Sequence, residues 1–133
     1  MPTLNFQERF ALQVQNGTKR QTIRKTRKRP IKIGDKLFLY TGMRTKNCMK
    51  LGEGICIVTV PVTIHNTCIL LFNKAVPGIE AHRLAHNDGF ENLEVMLRWF
   101  RKTHGMPFKG QIIFWKKTIT PLQSNKEERD EGE

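Results

Sequence analysis

Lys19, Thr22 and Arg24 follow Gly17 in the order G-x-K-x-x-T-x-R, and together they hold the parts needed for nucleophilic acyl transfer. A threonine hydroxyl attacks a carbonyl only when a base takes its proton. Lysine serves as that base once its pKa falls from about 10.4 toward neutrality, and burial or neighbouring cations push it that way. Arg20 and Arg24 supply such like charge beside Lys19. Arg24 is also suited to hold a substrate carbonyl and the oxyanion that forms from it. In an extended segment Thr22 and Arg24 share a face, whereas Lys19, three residues before Thr22, needs a bend or a bulge to join them.

The elements around this stretch are readable from periodicity and punctuation. Phe6, Phe10, Leu12 and Val14 roughly follow a helical face, and Asn16-Gly17 stops that helix because glycine accepts the left-handed conformation. Gly34-Asp35 reads as a turn before a strand over 37–40, and "MRTKNCMKLGEG" has no period and reads as a connector. "GICIVTVPVTIHNTCILLF" is rich in β-branched residues and predicts two strands broken near His65-Asn66, with Pro61 at an edge, bulge or bend. A short helix over 79–86, the turn "HNDGF" and a helix from Glu91 to Thr103 follow. "GQIIFWKKTI" is the last strand, and residues 121–133, with five acids, are expected to be a disordered acidic tail. Short strands with helices inserted between them predict one α+β domain over 1–120, a small mixed β-barrel with two to three helices.

The spacing and the order of elements resemble the ASCH family, whose fold is PUA-like. The resemblance covers roughly residues 4–116. It runs through "FQERF", the G-x-K-x-x-T-x-R motif, "GD-x-L-x-L", the β-rich middle, a helix ending in an acid before "GF", a second helix and an aromatic final strand. Small bacterial members of the family include an amidohydrolase of N4-acetylcytidine, and the resemblance implies that activity here. The resemblance implies Lys19 as general base, Thr22 as nucleophile and Asp88 in place of the family's catalytic glutamate, where aspartate is one methylene shorter. His86 and Glu91 are the alternatives if the alignment through "HNDGF" slips. Asp88 would orient Lys19 or pass a proton to the leaving amine; its plain reading is a turn residue. Tyr40 and Phe6 are candidate walls for a flat pyrimidine. Because a side chain is the nucleophile, no metal or other cofactor is expected.

Charge keeps other function classes open. The formal charge is +11, and residues 1–50 carry 13 Lys and Arg against Glu8 and Asp35, while the remainder balances at ten of each sign. Such an excess attracts polyanions, so Arg20, Lys25, Arg27, Lys28, Arg29 and Lys32 are read as RNA-facing electrostatics that position a strand without reading it. A non-catalytic RNA-binding or regulatory module and a ribonuclease therefore stand beside the amidohydrolase; the plainest alternatives are a structural barrel strand whose cations contact nucleic-acid backbone without catalysis, and a highly charged solvated loop with no partner.

Other signals are weaker. His82 and His86 have a chelating spacing but no third ligand. Trp99 and Trp115 read as core residues, and three unpaired cysteines suggest neither a disulfide framework nor a zinc site. With no apolar run of membrane length and no signal-like N-terminus, the chain reads as a soluble cytoplasmic protein, with a monomer favoured.

Overall fold

The computed structural model describes residues 2–118, so the acidic tail lies outside the described residues. Its elements run β1 (Thr3–Phe6), α1 (Glu8–Gln15), β2 (Gln21–Arg24), β3 (Lys36–Thr41), β4 (Met49–Ile64), β5 (Ile69–Leu71), β6 (Lys74–Ala75), α2 (Gly78–Asn87), α3 (Leu93–Thr103) and β7 (Phe108–Lys117). The fold is α+β, with three helices and one mixed seven-stranded sheet. That sheet does not close. Among the described residues β1 pairs only with β3, in parallel, and β2 pairs only with β7, antiparallel.

The organising element is β4. Its first half pairs with β3, its second half pairs with β7 from Gly54 to Ile64, and its end also carries β5 at Val62–Ile64. The expected connector over 43–54 is therefore half wrong, because Met49–Gly54 belong to this strand. Gly52 and Gly54 disguise it: Gly54 lies so close to Trp115 that a Cβ there would sit 2.8 Å from the indole, and small residues in strands mark such approaches. Pro61 falls inside β4. Its carbonyl accepts from Phe72 N at 3.2 Å, so its missing donor faces the side where β5 ends, an edge position that tolerates proline. One residue, Ile57, is looped out where the β4–β7 register shifts between Cys56 and Val58.

Two expectations about the N-terminus change. Phe6 ends β1 rather than starting the helix, and Leu12, expected on the apolar face, is 70% exposed; Phe10, Ala11 and Val14 make the buried face. Gly17, at φ +84°, closes α1 as expected. The chain then folds back, with Lys19 N donating to Gln13 O at 2.9 Å and Arg20 Nε to Gly17 O at 2.8 Å. Both faces of β2 are covered, since Gln21, Thr22 and Ile23 are buried in succession. Trp115 is deep in the core with Phe100, Leu4, Leu37, Leu39 and Ile112.

The gap between the free edges of β1 and β2 is spanned by side chains. Arg24 Nη2 donates to Asn5 O at 2.7 Å, and Arg27 Nη2 donates to Thr3 O. Alternate carbonyls of β1 are thus satisfied by guanidinium groups where a closed sheet would offer backbone amides.

Candidate functional site

Lys19, Thr22, Arg24, Asp88 and Phe6 converge on one cavity of about 280 Å³, whose wall also includes Phe10, Phe90, Trp99 and His104. The hairpin-like return after α1 supplies the bend that Lys19 needs. Its ammonium, 2% exposed, lies 3.4 Å from Asp88 Oδ1, donates to the Asp88 backbone carbonyl and sits 4.9 Å from the centre of the Phe10 ring. Asp88 is the C-cap of α2, and Gly89 at φ +99° follows it. This is the glycine a helix end calls for. It also lets α2 approach α1, because a Cβ at 89 would lie 2.8 Å from the Phe10 ring. The plain turn reading of "HNDGF" and the site reading of Asp88 are therefore the same structure: the cap geometry turns the carboxylate inward.

Thr22 and Arg24 share a face as the strand periodicity requires, with Arg24 Nε donating to Thr22 Oγ1 at 3.0 Å. The guanidinium also lies 4.9 Å from the centre of the Phe6 ring. Lys19 is committed to Asp88 in this state, and the hydroxyl of Thr22 takes its hydrogen bond from Arg24. Gln21, on the opposite face of β2 from Thr22, reaches Asp88 Oδ1 at 3.5 Å.

The electrostatics follow from burial. Desolvation lowers the Lys19 pKa despite the attraction of Asp88, and Arg24 and Arg9 lower it further. Desolvation likewise raises that of Asp88 against the pull of Lys19, Gln21 and Arg24. Both partners are thus pushed toward their neutral forms, the condition for a lysine that accepts a proton and an acid that supplies one. Arg24 is lowered to about 10, chiefly by burial, and stays cationic at neutral pH. His104, at the cavity wall, is lowered by desolvation and by Lys25.

Not every expected residue joins. Tyr40 lies on the other face of β3 from the buried Leu37, Leu39 and Thr41, and is not among the cavity residues. A one-residue irregularity between Leu39 and Tyr40 marks that end of the strand. Of the basic residues, Lys25 lines the cavity. Arg27, Lys28, Arg29 and Lys32 line a separate groove of about 790 Å³ with Pro2 and Asp35, and Arg20 is exposed. His86 and Glu91 are exposed outside the cavity, as is His82. No group of three metal-ligating side chains occurs among the described residues. Phe10, Phe90 and Trp99 were missed as walls. Their helical and turn positions read as core, and Trp99 does pack against Phe90 and Phe100, at 5.7 and 4.8 Å between ring centres. Trp115 is core, as expected.

No protein-family profile, curated protein or solved structure matches the chain.

Proposed function

We propose that this chain is an ASCH-type domain, a PUA-like barrel with one seam held by side chains, that hydrolyses the amide of an N4-acylated cytosine such as N4-acetylcytidine. One observation carries the reading: a lysine buried against an acid faces the same aromatic-walled cavity as a threonine whose hydroxyl is held by an arginine. About 280 Å³ is near the lower end of the ~300–1,000 Å³ range of ligand pockets, a size suited to a nucleobase with a short acyl group. Phe6, Phe10 and Trp99 offer flat apolar surface to the ring.

In the reaction, Thr22 Oγ1 attacks the acyl carbonyl while neutral Lys19 takes its proton. Arg24, already on that hydroxyl, shifts its hydrogen bonds to the oxyanion. Collapse breaks the C–N4 bond, and Asp88 returns a proton to the leaving amine through Lys19. Water then adds to the threonyl ester, with Lys19 again as base, and releases the carboxylic acid. The short reach of aspartate is offset by its place at the helix end, where carboxylate and carbonyl both approach Lys19.

Incubation with N4-acetylcytidine should release cytidine, and Lys19→Ala and Thr22→Ala should each lower turnover by about 10²-fold or more. A folded wild type that releases none, or full activity in both variants, would remove this reading.

A further inference from the structure

Lys25 belongs to two hollows. It lines the cavity, and it also lines an adjoining open groove of about 360 Å³ with Thr26, Pro61, Thr63, Asn73 and Lys109. No carboxylate lines that groove. Among the described residues no ion pair engages Lys25, Lys109 or the nearby Lys74, so their charge is uncompensated and available to phosphate. By contrast, the groove beneath Arg27–Lys32 shares no residue with the cavity.

At the rim stands the turn between β5 and β6, where Phe72 and Asn73 have φ of +52° and +65°. Asparagine accepts that conformation readily, but a bulky ring there is an outlier that stores strain. Two-residue hairpin turns ordinarily take asparagine or glycine at both positions. Phe72 buries little in return, being 63% exposed. A strained, outward-facing ring beside unpaired lysines is the arrangement that stacks an unpaired base while cations hold the flanking phosphates.

We infer that the groove from Lys25 to Phe72 seats single-stranded RNA, with one base entering the cavity and a neighbouring base stacked on Phe72. The choice of RNA rests on the cytidine reading of the cavity. The strand is single because a base must leave any stack to reach a buried lysine.

The test measures binding of a short labelled single-stranded RNA carrying one N4-acetylcytidine by fluorescence anisotropy, across a salt series. Wild type is compared with Phe72→Asn and Lys109→Glu, and the same proteins are assayed for turnover of free N4-acetylcytidine and for thermal melting. Each substitution should weaken RNA binding about tenfold, and Lys109→Glu should flatten the log–log salt slope by about one. Phe72→Asn should melt higher than wild type, because it relieves the turn, so its weaker binding is not loss of fold. Both variants should hydrolyse the free nucleoside like wild type. RNA affinity unchanged in both variants, or equal affinity for duplex RNA, overturns the groove. Hydrolysis of the nucleoside without RNA binding also overturns it and leaves the amidohydrolase standing. RNA binding lost in the variants, from a wild type that hydrolyses nothing, upholds the groove and removes the amidohydrolase.

Discussion

Lys19 is held in a conflict between burial and attraction, and the pH profile should display it. Its general-base form is the unprotonated one, so turnover rises with pH through the folded-state pKa, which burial sets below the ordinary lysine value of 10.5. Asp88 opposes that lowering. Asp88→Asn removes the opposition, so the rising limb of kcat/KM against pH should move to lower pH even as the rate falls; a limb that stays fixed or moves up would contradict the pairing. At this scale the sequence was informative about proximity: Lys19, Thr22 and Arg24 came from one spaced motif and Asp88 from the resemblance carried through "HNDGF", and the fold brings all four to one cavity. Tyr40 does not join them. Assigning it a wall from its place at a strand end ignored which face it took, and strand alternation puts it opposite Leu39.

Two glycines govern how the elements hold these side chains, and each resists a Cβ for a different reason. At Gly110 a Cβ would lie 2.2 Å from the backbone oxygen of Arg24. No rotamer change relieves a backbone clash of that kind, so Gly110→Ala must part β2 from β7 at their Arg24–Gln111 pair. We expect a loss of at least ~1–3 kcal/mol in denaturant unfolding, with a comparable fall in turnover because Arg24 moves. Gly89→Ala meets the Phe10 ring and Gln13 Oε1 instead, which can shift, but it must also adopt φ near +99°. It should cost about 1–3 kcal/mol and loosen Lys19 from Asp88. An equally stable Gly110→Ala would contradict the β2–β7 contact. Gly89 was legible as turn chemistry. Gly110 was not, since nothing local announces a close approach made by a strand 86 residues away in sequence.

Across the whole molecule the class of fold was legible from the order of strands and helices, and the central strand from Gly54 to its end before His65, while its first residues, Met49 to Glu53, were not. Gly52 and Gly54 interrupt the pattern at the start of β4, so that part reads as connector, yet the strand runs through them by pairing with β3 and β7, and Pro61 sits within it at an edge as expected. β1 was hidden in the apparent helical run of Phe6 and Phe10. No helix among the described residues is long and apolar enough to cross a membrane. The seam between β1 and β2 gives the molecule a further property. Arg24 holds Asn5 O and Thr22 Oγ1 at once, so a carbonyl or oxyanion arriving in the cavity competes with the edge strand for one guanidinium. Occupancy would then be felt as a slackening of β1. Backbone amides at Leu4 and Phe6, which face β3, should exchange with solvent faster when the cavity is filled, and filling it should leave exchange in the centre of β4 unchanged. The arginine would thus make the outermost strand a strain gauge for the pocket, readable from outside without any probe placed in the site.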